Sequence, residues 1–193
     1  MKRIFGFLIL VVIFTFARKH KEQSPSPEYS APFTNNEKPL LIHGLGEYNR
    51  EELLKAREIL KEEFNIQSKI CSSKRTESSL YSSNNVELIA EKVLSQFRVE
   101  GENVVYVTSE PLISRSGENL RGMTHLGGTV IVLKGGVHLK ETLIHEMGHT
   151  FGLTHCHDET CIMAINNDET DSGEFCKKCR KTLNEVRNAH GKK

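Results

Sequence analysis

The stretch from His145 to Cys156, reading HEMGHTFGLTHC, constrains this chain more than any other. On a helix, residues four apart stand one turn above each other, so His145 and His149 point the same way. With Leu143 at zero on a helical wheel, Met147 falls at about 40° and Phe151 at about 80°, while the histidines fall near ~200° and ~240°. The apolar stripe and the imidazole pair therefore occupy opposite faces, one for a core and one for a cleft. Glu146 lies between them. Gly152 can end the helix in a left-handed turn that a Cβ resists, and the chain can then swing back to deliver His155 as a third ligand. Three neutral imidazoles with one open coordination place form the pattern of a catalytic zinc, and Glu146 stands where a base is needed to take a proton from bound water. At this composition the full spacing HExxHxxGxxH is expected by chance roughly 0.0002 times. An amphipathic surface helix with incidental histidines is rejected on that ground.

A second cluster follows directly. Cys156-x4-Cys161 and Cys176-x2-Cys179 are two cysteine pairs joined by a connecting loop, which matches a tetrahedral structural zinc site. Because Cys156 adjoins His155, such a site would pin the C-terminal segment under the cleft, and its binding energy would become folding energy. In an oxidising compartment the same four thiols would form two disulfides instead. Met163 would lie beneath the histidines if the thiols fold the chain back, giving the metal an apolar floor. The fifth cysteine, Cys71, is expected as a buried strand residue.

The remaining sequence supplies one domain's worth of core in 193 residues. A formal charge of +1 gives no hint of a nucleic-acid partner, no basic block is long enough to suggest one, and none is expected. Lys2 and Arg3 precede an apolar run from Ile4 to Phe16, and Ala17 offers a small-residue cleavage position. Residues 1–17 therefore read first as an export signal and second as an N-terminal membrane anchor, placing the protein in a periplasm or outside the cell. Residues 18–36, with Pro25, Pro27 and Pro32 among serines, read as a flexible linker. The domain is then 37–193, expected to be monomeric.

Within it, Pro39 to His43 predicts a first strand, and Asn49 caps a helix over 50–64 with Glu52 at the capping-box position. Ile66 to Cys71 predicts a second strand, and Val86 to Phe97 a helix burying Val86, Ile89, Val93 and Phe97. Val104 to Thr108 predicts a strand apolar enough for mid-sheet. Leu120 to Leu126 and Thr129 to Leu133 would complete a partly parallel sheet, one of them as an antiparallel edge; Leu120 to Leu126 reads equally as an edge strand able to pair with an extended peptide and as an ordinary loop and hairpin. His43, His125 and His138 have no partner at ligand spacing and read as surface or core-edge residues.

HEMGHTFGLTHC, followed by Cys161-Ile162-Met163, Thr170-Asp171 and Phe175-Cys176-Lys177-Lys178-Cys179, resembles the archaemetzincin family of zinc metallopeptidases over residues 143–183. The resemblance implies an α+β, metzincin-like fold with a twisted mixed β-sheet packed with helices. It implies a catalytic zinc on His145, His149 and His155 with Glu146 as base, acting on a peptide or protein substrate. It also implies zinc rather than disulfides on Cys156, Cys161, Cys176 and Cys179, hence two zinc ions per chain, and Met163 below the catalytic metal. The loop from Met163 to Cys176 is several residues shorter than the family's pattern, which bears on substrate preference, and an export-like N-terminus is unusual for the family. The competing reading is an exported binding or scaffold protein whose zinc is purely structural. Glu146 argues against it, because a structural site needs no base.

Overall fold

The structure, a computed structural model, describes residues 38–165 and 173–190. The export signal or anchor, the linker and Thr170-Asp171 lie outside the described residues. Among those described, no helix is long and apolar enough to cross a membrane.

The chain runs through β1 (Leu40–Gly44), α1 (Arg50–Phe64), β2 (Ser68–Ile70), a 3₁₀ turn (Ser78–Leu80), β3 (Leu88–Ile89), α2 (Ala90–Gln96) and β4 (Val104–Thr108). It continues through β5 (Leu112–Ile113), β6 (Asn119–Leu120), β7 (Gly122–Thr124), β8 (Val130–Lys134), α3 (Leu139–Thr150) and α4 (Lys177–His190). The main sheet has the order β2-β1-β4-β8-β7. Its first four strands are parallel and β7 pairs antiparallel at the edge. This is the α+β class with a mixed sheet.

Alternation along the central strands builds two cores. Val105 and Val107 of β4, with Ile131 and Leu133 of β8, face α1, α3 and α4. Val104 and Tyr106, with Val130 and Val132, face α2 and the small strands β3 and β5. Because both faces are covered, β4 is buried along its whole length, as an interior parallel strand requires. Each such side chain removed from water is worth roughly 1.5–3 kcal/mol.

Local chemistry sets the ends of α1. Asn49 Oδ1 accepts the Glu51 N–H at 2.9 Å, and Asn65, in the left-handed region at φ 52°, closes the C-terminus by donating to Leu60 and Lys61. Glu52 does not complete a capping box; its carboxylate turns instead against Gly135 in the β8–α3 connection.

Three expectations are corrected. The second helix begins at Ala90, because Asn85 takes a positive φ of 57° and Leu88–Ile89 instead pairs with Leu112–Ile113. Val86 is consequently exposed, at 54 %. The segment from Leu120 is two strands: Asn119–Leu120 closes a separate three-stranded sheet, β3-β5-β6, and β7 begins at Gly122. Cys71 follows β2 at the sheet's other edge and is only half-buried, since no further strand covers it.

Candidate metal centres

Helix α3 follows β8 after Gly136 and packs its apolar stripe into the first core: Leu143 and Met147 are fully buried and Phe151 nearly so. That fixes the rotation of the helix and turns His145 and His149 to the other side. At its C-terminus Gly152 adopts φ 83°, with open space around the position of a Cβ, so the demand there is conformational. Leu153 N–H then returns to the Gly148 carbonyl at 3.0 Å, and the reversal brings His155 back toward the helix. The three imidazoles meet. Ring centroids lie 4.7 Å (His145–His149), 5.4 Å (His145–His155) and 4.9 Å (His149–His155) apart, and a nitrogen of each lies within 4.8 Å of the others.

The hydrogen bonds on the far side of two rings decide what the near side can do. His145 Nδ1–H donates to the Ile162 carbonyl at 2.7 Å, and His149 Nδ1–H to the Leu153 carbonyl, also at 2.7 Å. A proton on Nδ1 leaves Nε2 as a bare lone pair in the neutral ring. The two Nε2 atoms face each other at 3.0 Å. Burial, above all, holds both imidazoles below their ordinary range, His149 down to about 4, with the neighbouring histidines adding to the effect. Two facing lone pairs on neutral rings fit a cation. The donor set suits zinc.

Glu146 is 6 % exposed, lying against Gly122 of β7 and accepting a hydrogen bond from the Thr124 backbone N–H. Burial pushes its carboxyl up to about 8. Lys134 N–H donates to the Arg121 carbonyl at 2.7 Å, so antiparallel alternation directs the main-chain groups of Gly122 and Thr124 away from β8, toward the face where Glu146 sits. The β7–β8 turn is tied to the same helix, Gly127 N–H donating to the His149 carbonyl at 2.8 Å.

Met163 is fully buried against α3 at Gly148, one residue before His149. A Cβ at Gly148 would collide with Met163 Sδ and come within 3.2 Å of Phe175. Gly148→Ala should therefore cost about 1–3 kcal/mol by overpacking, read as a lowered denaturation midpoint. Met163→Ala in the same chain should recover part of it.

The four sulfurs of Cys156, Cys161, Cys176 and Cys179 also converge within 4.8 Å of one another, and none is disulfide-bonded. A tetrahedral ion about 2.3 Å from each sulfur needs S···S edges of about 3.8 Å; Cys156 Sγ and Cys176 Sγ lie 3.8 Å apart. Backbone N–H groups of Asp158 and Cys176 donate to Cys156 Sγ (3.4 Å) and Cys161 Sγ (3.3 Å), as they do to thiolates. Burial pushes Cys161 and Cys179 up, Cys179 further because of the Cys161 charge beside it. Sulfurs this close ionise together only around a cation. These residues fit zinc.

All seven residues expected from the sequence as ligands thus fall into the two clusters expected of them. His43 is buried at the core edge, stacked on Tyr106, and its Nδ1–H donates to the Ser72 carbonyl at 2.6 Å, while His125 and His138 are exposed. What the sequence did not reveal are the main-chain groups: the carbonyls of Leu153 and Ile162 and the N–H of Thr124.

The profile of peptidase family M54 matches residues 137–185. The archaemetzincin of Methanopyrus kandleri is 47% identical over 45 residues, 21% of this chain and 26% of that protein. The archaemetzincin of Haloquadratum walsbyi is 28% identical over 107 residues, 43% of this chain and 62% of that protein. The aligned segments thus span less than two thirds of either relative. The crystal structure of archaemetzincin from Archaeoglobus fulgidus complexed with malonate shares the fold, with a TM-score of 0.64 at 17% identity over 74% of this chain and 98% of that one. Fold and donor set together define a metal-binding protein of the HExxH class, with a second, sulfur-lined centre behind the first. Over residues 137–185 the chain is similar to the archaemetzincins and matches the model of peptidase family M54.

Proposed function

We propose that the chain is a zinc-dependent peptidase, with His145, His149 and His155 holding the catalytic ion, Glu146 as general base, and a second, structural zinc on the four thiols. The observation that carries the reading is the pair of bare Nε2 atoms facing each other at 3.0 Å, each fixed by a backbone carbonyl behind its ring, with a buried acid between them in sequence. Zinc bound there acidifies a water and polarises a scissile carbonyl.

The chain's own groups do the rest. Glu146 takes the proton of the attacking water on a carboxylate oxygen and hands it to the departing amine nitrogen. Its buried setting raises the proton affinity of that carboxylate, and a cation held on the neighbouring histidines would favour the ionised form that accepts the proton. The substrate lies extended along β7, pairing with the outward main-chain groups of Gly122 and the Thr124 carbonyl. In that arrangement its backbone passes the face carrying Glu146.

The test is zinc analysis together with hydrolysis of a mixed peptide library. Two zinc per chain, and cleavage abolished by phenanthroline and restored by added zinc, is the expected result. A folded chain with two zinc that cleaves no peptide in the library would overturn the assignment.

A further inference from the structure

We infer that the four-thiol cluster is the positioning element of the histidine site, so that occupancy of the sulfurs sets how tightly two of the three imidazoles hold metal. This rests on the reading of both clusters as zinc sites.

The geometry is asymmetric between the histidines. His149 is oriented by the Leu153 carbonyl, which the cap of α3 itself puts in place through the Leu153 N–H to Gly148 carbonyl bond. Nothing beyond the helix and its last turn is needed. His145 is oriented by the Ile162 carbonyl, which comes from a loop whose only pairing among the described residues is the single bridge of Cys156 with Ala164.

Several backbone hydrogen bonds that hold Ile162 and its neighbours start or end at, or within two residues of, a sulfur ligand. Ile162 N–H donates to the Glu174 carbonyl at 2.8 Å, two residues before Cys176. Cys156 N–H donates to the Met163 carbonyl at 2.7 Å, Cys161 N–H to Asp158 at 3.0 Å, and Cys176 N–H to Cys161 Sγ at 3.3 Å. His155 directly precedes Cys156. Once the sulfurs are not drawn together, the acceptor behind His145 and the backbone carrying His155 lose these hydrogen-bonded anchors, while the acceptor behind His149 keeps its own. Groups behind a ligand of this kind are worth 10–100-fold in metal affinity.

The experiment uses the whole chain with Cys71→Ser, which leaves only the four clustered thiols. Cys179→Ser changes a residue on α4 that is remote in sequence from His145, His149 and His155. Zinc affinity of the histidine site, read by competition with a fluorescent chelator, should fall about 10–100-fold in this variant. In the ¹⁵N spectrum the His145 Nδ1–H should lose its hydrogen-bonded signature and exchange protection, whereas that of His149 should persist. Cys179→His, which restores four ligands, should recover the affinity. An affinity within twofold of the parent in Cys179→Ser, or equal loss at His145 and His149, would overturn the proposal.

Should Cys179→Ser not fold, the parent is titrated with a mercurial, which takes thiol-bound zinc without touching imidazole. With β1, β4 and β8 still protected from hydrogen exchange, the second zinc should then leave at least tenfold faster; an unchanged rate overturns the coupling. A parent that holds one zinc, on sulfur alone, would overturn the coupling together with the peptidase reading, and its zinc count tells that case apart.

Discussion

Glu146→Gln should lower kcat/KM on a peptide by roughly 10²–10⁴-fold while leaving the zinc content at two per chain. The amide has the carboxylate's size and keeps an oxygen to accept the Thr124 N–H, but it cannot receive a proton from the attacking water. The same substitution should stabilise the fold in alkaline solution. Burial lifts Glu146 from its ordinary 4.5 to about 8, so the folded chain holds a proton that the unfolded chain has released. Stability from the protonated group is complete below about pH 4.5 and is lost as the pH rises through about 8. In chelator-treated protein the Gln variant should therefore match the parent at pH 4 and exceed it at pH 9, by on the order of a few kcal/mol. Lost turnover with gained stability marks a residue kept for chemistry. Parental turnover in the variant, or a parental denaturation midpoint at pH 9, would contradict the assignment.

Side chains at short, fixed spacing were legible in the sequence, and groups fixed by distant pairing were not. Asn49 announced α1 because a cap acts within three residues of itself, and the stripe of Leu143, Met147 and Phe151 oriented α3 because helical geometry is local. Val86 to Phe97 misled because Leu88 and Ile89 obey helical and strand spacing equally well. Their partner, Leu112–Ile113, lies more than twenty residues on, and only the fold brings it near. The same reason hid the break at Arg121, where two-residue and three-residue strands carry too little pattern to separate. At the candidate site, the seven clustered histidines and cysteines and Glu146 were readable because imidazole, thiol and carboxylate are rare at such spacings. The Ile162 and Leu153 carbonyls were not, since every residue has one and only its position makes it an acceptor for a ligand ring.

Cys161→Ala should lower the melting temperature by roughly 10–20 °C and open the chain from Leu153 to α4 first. Cys161, Ile162 and Met163 are fully buried in the core that also holds Phe64, Phe151 and Phe175, yet the backbone delivering them has almost no ladder to hold it. Ordering such a segment costs about 1–2 kcal/mol per residue, and a structural zinc returns about 10–16 kcal/mol in small zinc-binding peptides. That is comparable with the whole net stability of a typical domain, roughly 5–15 kcal/mol. Losing one sulfur forfeits much of it and leaves the remaining thiols buried without a cation. Hydrogen exchange should show the loss along residues 153–164 and α4 while β4, covered on both faces, stays protected. Free zinc should raise the parent's melting temperature, with a thousandfold excess over Kd adding about 4.1 kcal/mol, and should raise that of the variant by less, since only the weakened histidine site is left to bind it. The rival chemistry predicts the reverse: disulfides among these sulfurs would make the parent sensitive to dithiothreitol and indifferent to chelators. A parent behaving in that way would place sulfur–sulfur bonds, and not an ion, behind the histidine site.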